Sequence, residues 1–163
     1  MPLKAAMWVH GTIVEVEYPE RLAPVSIDGL VRRGWGTHFW GNENTANWFH
    51  IPITTPVILD DIRPPLIKVF VFYKTEGNAK ITNIHVYDGR SRVKAFDGLA
   101  LSGDHSGGGG VDASNSWVVE PPITILYGLG ISVGVEFGSQ VNIDIPWPEI
   151  LFTTAGADFK KQP

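Results

Sequence analysis

Ile131–Phe137 reads Ile-Ser-Val-Gly-Val-Glu-Phe, and it alternates without a break. Ile131, Val133, Val135 and Phe137 fall on one side. Ser132, Gly134 and Glu136 fall on the other. A period of two is the signature of a β-strand with one face in a core. Leu66–Tyr73, LIKVFVFY, is almost continuously apolar instead, so both of its faces are predicted to be covered and the strand to be central. Between them, Lys80–Tyr87 and Arg90–Phe96 flank Asp88-Gly89, a dipeptide that closes tight hairpins, and Asp97-Gly98 repeats the signal before a short strand expected at Leu99–Leu101.

Further strands follow outward from these. Met7–Glu17 places Thr12, Val14 and Val16 on one face and Glu15 and Glu17 on the other. Ala23–Val31 reads as a weaker strand or a loop. Thr37–Trp40 and Asn47–Ile53 flank a polar tract, and in the second Phe49, Ile51 and Ile53 oppose Trp48 and His50. Ser116–Val119 and Ile123–Tyr127 are separated by Pro121-Pro122. Val141–Ile145 and Ile150–Thr154 lie around Pro146-Trp147-Pro148, and Gly103–Asn115 is a glycine-rich loop. About ten short strands with turn signals every ~8–12 residues describe an all-β fold. We expect a single antiparallel β-sandwich of jelly-roll type over residues 1–163, with residues 155–163 as a C-terminal tail.

Composition agrees. The 163 residues include 16 Val and 15 Ile against 10 Leu, and β-branched side chains suit a pleated surface. Eighteen Gly and 12 Pro supply frequent turns. The net charge is −4 and the basic residues cluster only as Arg32-Arg33 and Lys160-Lys161, so no nucleic-acid partner is expected. With no cysteine, disulfide and thiolate chemistry are excluded. No secretory leader is read at the N-terminus, so the default location is cytoplasmic, which leaves export by a non-classical route open. The longest uncharged run, Pro121–Val135, is short of the ~20 residues of a spanning helix and is broken by glycines, so no transmembrane segment is expected.

The chemistry-bearing candidates are four. Gly34–Pro52, GWGTHFWGNENTANWFHIP, gathers Trp35, His38, Trp40, Asn42, Asn44, Asn47, Trp48 and His50. Its rings can stack on a ligand and its amides can bond to it, or the rings can fill a core. Trp117 and Trp147 share those alternatives. His10, His38 and His50 would make a metal site of cupin type if they converged, although the chain has no His-x-His. Asp104, Asp112 and Asn115 frame the glycine-rich loop and are a calcium candidate, or ordinary turn residues. Ser102, Asp104, His105 and Ser106 are sequence neighbours, whereas triads converge from separate elements, and no Gly-x-Ser-x-Gly elbow is present, so no catalytic residue is assigned.

The phrases Gly34–Gly41 (GWGTHFWG), Asn47–Asp61 (NWFHIPITTPVILDD), His85–Gly89 (HVYDG), Ser102–Ser106 (SGDHS) and Thr154–Phe159 (TAGADF) resemble those of a family of small bacterial all-β proteins of unknown function. The resemblance runs from about His10 to Phe159 and implies a stand-alone domain with no assigned activity. Low charge, many strand edges and abundant aromatics point first to a non-catalytic module that self-associates as a homo-oligomer. Binding of carbohydrate or another small molecule by the Trp35–His50 region is the alternative. A metal-dependent jelly-roll enzyme is the third reading.

Overall fold

A computed structural model of the chain describes residues 2–140, 144 and 147–161. Among them twelve strands follow in order: β1 (Leu3–His10), β2 (Glu15–Val16), β3 (Leu30–Arg33), β4 (Gly36–Trp40), β5 (Thr45–Ile53), β6 (Pro65–Glu76), β7 (Ala79–Asp88), β8 (Ser91–Phe96), β9 (Asp104–His105), β10 (Ser116–Thr124), β11 (Leu129–Phe137) and β12 (Glu149–Lys160). One sheet has the order β10-β6-β12-β4-β3, with β1 also paired to β12 and β9 to β6. The other has the order β2-β5-β11-β7-β8. All pairings are antiparallel. The chain passes from one sheet to the other at β1–β2, β2–β3, β4–β5, β5–β6, β6–β7, β8–β9, β10–β11 and β11–β12, as in a jelly roll.

The alternation read in Ile131–Phe137 places its four apolar side chains in the core. Phe39 and Phe152 from the seven-stranded sheet meet Phe49 and Phe137 from the five-stranded one. Ring centroids lie 4.7 Å apart for Phe39–Phe49 and 5.3 Å for Phe49–Phe152. Each such buried side chain contributes about 1.5–3 kcal/mol of transfer free energy. The continuous apolar run of β6 is covered on both faces, as its sequence requires. Val69, Val71 and Tyr73 point inward, while Phe70 and Phe72 lie on the outer face beneath Trp8, which stacks on Phe70 at 4.8 Å. The Asp88-Gly89 hairpin forms as read, with Asp88 opposite Ser91.

Four expectations are corrected. Met7–Glu17 is not one strand: β1 stops at His10, whose Nδ1 accepts the N–H of Thr12 and starts a 3-10 turn over Gly11–Ile13. Thr12 is thereby turned out to solvent while Val14 stays inside. Pro121-Pro122 does not divide two strands, because β10 runs through both. The prolines sit where the register with β6 shifts between Val118 and Ile123, so they remove no ladder donor that is needed. Leu99–Leu101 is not a strand, and only Leu101 bridges to Ile81. The tail expected at residues 155–163 is corrected as far as it is described: β12 continues to Lys160 through the middle of its sheet, burying Ala155, Ala157 and Phe159. The strand expected at Val141–Ile145 lies, apart from Asp144, outside the described residues.

Candidate functional site

The outer face of the five-stranded sheet carries the clearest concavity. β11 is its middle strand, and three of its outward residues, Gly130, Ser132 and Gly134, are small. Gly130 stands between Pro52 of β5 and Tyr87 of β7, Ser132 between His50 and His85, and Gly134 between Trp48 and Asn83. Small side chains on the middle strand, flanked by large ones on both neighbours, make a trough. It encloses about 800 Å³, with Trp48, His50 and Pro52 on one wall, Tyr87 and His85 on the other, and Glu15, Glu17 and Arg92 at the rims. Trp48 closes one end. Its ring packs against His85 at 4.8 Å between centroids and reaches over Gly134.

The polar groups of the trough are held in place. Ser132 Oγ lies 2.8 Å from His50 Nδ1, and His50 Nε2 lies 3.4 Å from Glu17 Oε1. On the opposite wall His85 Nε2 donates to Asp97 Oδ1 at 2.7 Å, and Asn83 Nδ2 donates to the same oxygen at 2.6 Å. The bond from Asn83, then that from His85, holds the Asp97 carboxyl below the usual carboxylate range. The order Ser132–His50–Glu17 has the connectivity of an acyl-transfer relay. Ser132 is mid-strand, however, and the ladder on both sides takes up the backbone N–H groups around it, so no free pair of them faces a developing oxyanion there. The arrangement suits a different task, which is to present fixed donors and acceptors to hydroxyl groups between two aromatic walls.

The Gly34–Pro52 aromatics do not form one site. β4 and β5 belong to different sheets, and the chain crosses between them at Gly41–Asn44. Gly41 is required at the crossing, since a Cβ there would lie 2.1 Å from the ring of Phe137. Trp35, His38 and Trp40 therefore face out from the seven-stranded sheet, and Trp48 and His50 face out from the other. On the former face Trp35 Nε1 donates to His38 Nε2 at 3.0 Å. His38 Nδ1 bonds Glu149, and its ring stacks on Trp40 at 5.7 Å and 13°.

The three asparagines are occupied by the backbone or at the surface. Asn42 donates to the carbonyl of Leu22, and Asn44 turns the chain at φ 55° and accepts from Ser139. Asn47 is buried, donates to the carbonyl of Tyr18 at 2.8 Å and accepts from the N–H groups of Tyr18 and Trp48. Trp117 is buried and Trp147 is partly buried.

His10, His38 and His50 do not converge: His10 caps a turn, and the other two lie on opposite outer faces. Asn115 is buried, accepts the N–H of Asp112 and donates to the carbonyl of Gly110. Asp112 accepts from Ser114 N, and Asp104 accepts from the hydroxyl and N–H of Ser106, which hold its carboxyl below the usual range. Each of the three thus ties its own loop. Among the described residues no group of three or more His, Asp or Glu is placed to hold a metal ion.

Ser132, Tyr87, His85 and Arg92 are the groove residues that sequence reasoning missed. The signal was present in Gly130-x-Ser132-x-Gly134, whose outward side chains are all small. Its meaning depends on which strands flank β11, and that pairing is not written in the strand itself.

A two-sheet antiparallel β-sandwich with an aromatic-walled polar groove across one outer face is the class of protein that these features define. The chain belongs to a family of unknown function (DUF6623), whose model matches residues 1–155. No curated protein matches it. Among solved structures it is similar to TmCBM61, a module solved in complex with β-1,4-galactotriose, at 13% identity over 98% of this chain and 91% of that one, with a TM-score of 0.45.

Proposed function

We propose that this protein binds carbohydrate, taking a short run of a neutral polysaccharide along β11. The observation that carries the reading is the floor of Gly130 and Ser132 between Trp48 and Tyr87. A sugar ring has an apolar face that stacks on an indole or phenol and hydroxyls that both donate and accept. The groove supplies rings and two histidine–carboxylate pairs within one trough. The trough's lining runs from Gly89 and Arg92, past Gly130 and Ser132, to Trp48. Its volume of about 800 Å³ lies within the ~300–1,000 Å³ usual for small-molecule sites. The rims carry both signs, Glu15 and Glu17 against Arg92, and offer no single-sign field for an anionic chain.

Retardation in native gels cast with soluble galactan, mannan, xylan or β-glucan tests this. Wild type is slowed by at least one of them. Trp48→Ala loses about 2 kcal/mol, on the order of 30-fold in affinity for oligosaccharide. Unchanged affinity in that variant refutes the groove as the site. Self-association draws less support from the edges. β10 carries Pro121 and Pro122, β8 carries Arg92 and Lys94, and β2 is two residues long, features that hinder edge-to-edge pairing at those three strands, whereas among the described residues β1 and β3 each pair with one neighbour and keep an open side.

A further inference from the structure

We infer that the outer face of the seven-stranded sheet carries a second carbohydrate site, built on Trp35, so that one copy of the protein joins two polysaccharide chains. The bivalency rests on the groove reading above; the Trp35 site itself rests on separate observations.

Trp35 sits at the tip of the β3–β4 turn and is 56% exposed. An exposed indole is ordinarily free to change rotamer. This one is pinned at its edge: its Nε1–H donates to His38 Nε2 at 3.0 Å, with the rings near perpendicular at 85°. An indole N–H only donates, so His38 Nε2 accepts and Nδ1–H is left to bond the Glu149 carboxylate. His38 is further fixed by stacking on Trp40. The His38 and Glu149 side chains are 19% and 14% exposed, so the support is largely shielded while the ring it supports is not. Rigid aromatic rings bind with little loss of conformational freedom, and a pinned exposed ring is pre-organised for stacking.

The surroundings select a sugar as the occupant. Arg33 lies over the ring at 5.5 Å. In the rungs beside it, Trp40, Glu149 and Glu76 align, as do His38, Leu151 and Lys74, and Lys74 and Glu76 form an ion pair. Leu151 is buried beneath these groups. A protein-docking hot spot is packed among other apolar groups that exclude water. Here one half-exposed ring, with Arg33 over one face, is bordered by donors and acceptors, and its other face is the complement of an apolar sugar face with hydroxyls at its edge. The two sheets stack ~10 Å apart and present these faces in opposite directions, so a short oligosaccharide cannot reach both sites.

The test uses the polysaccharide that retards wild type in native gels, together with light scattering of the mixture. Wild type retards and raises scattering by cross-linking. Trp35→Ala and Trp48→Ala each keep part of the retardation and lose the scattering rise, and the double variant loses both. Each single loss is expected at roughly 10- to 30-fold in affinity. His38→Ala, which unpins the ring, weakens the Trp35 site; His38→Gln, which restores an acceptor for the indole N–H, recovers it. A merely structural role for His38 predicts no such rescue. Because Trp35 is half exposed, its variant should melt with wild type, and matching near-ultraviolet dichroism away from the indole band checks this. Trp35→Ala with unchanged retardation and scattering overturns the second site while leaving the groove intact. Loss confined to Trp35→Ala, with Trp48→Ala unaffected, refutes the groove and leaves Trp35 as a single site. A wild type that no polysaccharide retards overturns both.

Discussion

The indole of Trp48 crosses from β5 to lie over Gly134 of β11: a Cβ built at Gly134 would stand 3.2 Å from Cη2 of Trp48 and 2.9 Å from Oδ1 of Asn83. The end wall of the groove is therefore set by the absence of a side chain on the neighbouring strand. Gly134→Val places a branched side chain between Trp48 and Asn83, and overpacking of this kind costs about 1–3 kcal/mol. The expected outcome is a folded protein with a shifted Trp48 fluorescence maximum and weakened ligand retardation. An unchanged spectrum and unchanged binding would show that Trp48 does not depend on this contact.

Asp88 closes the β7–β8 hairpin from one side and holds the Leu126–Gly128 segment from the other. Its carboxylate accepts the N–H groups of Leu126, Tyr127 and Gly128 at 2.9, 2.8 and 3.2 Å. Burial alone would raise its pKa, but the three N–H donors, aided by the charge of Arg63, bring it below the usual carboxylate range. A depressed folded-state pKa contributes stability that is present above the unfolded value of ~3.9 and is lost as pH falls through the folded value. Asp88→Asn removes the charge and part of this clasp, at a cost of about 1–3 kcal/mol at neutral pH. Urea unfolding should show the gap between wild type and variant narrowing as the pH is lowered below ~4. A gap that widens on acidification contradicts the assignment.

Much of the fold was legible because it is written in local patterns. Ile131–Phe137 announces its inner face, Leu66–Tyr73 its central place, and Asp88-Gly89 its turn. What failed depends on partners distant in sequence. Thr154–Phe159 has four small residues and an aspartate before its single large apolar side chain, Phe159, so its own pattern is weak; it is a strand because β1 and β6 pair with it on either side. The same holds for the site. The alternation of Asn47–Ile53 sets Trp48 and His50 opposite Phe49, Ile51 and Ile53, and the structure turns the face of Trp48 and His50 outward. Trp35, His38 and Trp40 were grouped with them because a short polar tract in sequence hides a crossing from one sheet to the other. The floor of the groove went unread because small residues carry no chemistry until large neighbours flank them.

Asn47 is a ligand candidate that the structure turns into a brace. Its side chain satisfies the N–H and carbonyl of Tyr18 and the N–H of Trp48 from a buried position. Asn47→Leu leaves those backbone groups without their partner, at about 1–3 kcal/mol. For a chain of this length each kcal/mol lowers Tm by roughly 2–4 °C. Calorimetry should record that fall, while the affinity of the folded protein for its ligand changes little. Lost affinity at unchanged Tm would restore Asn47 to the binding site.

Phe159 decides between two accounts of the stretch that follows Thr154. As part of a tail it would be replaceable without cost. As observed, it is fully buried on β12, opposite Leu66 of β6 and Ala5 of β1. Phe→Ala at such a site removes transfer free energy and leaves a cavity, costing about 3–5 kcal/mol, a large share of the ~5–15 kcal/mol that holds a domain folded. Val118→Ala is the control, since that side chain is 61% exposed on β10 and substitution there should stay within about 0.5 kcal/mol. Equilibrium urea unfolding measures both. Phe159→Ala should move the midpoint strongly with an unchanged slope, because the surface exposed on unfolding is nearly the same. Equal midpoints for the two variants would mean that β12 contributes little beyond Thr154, and the central position of that strand would have to be abandoned.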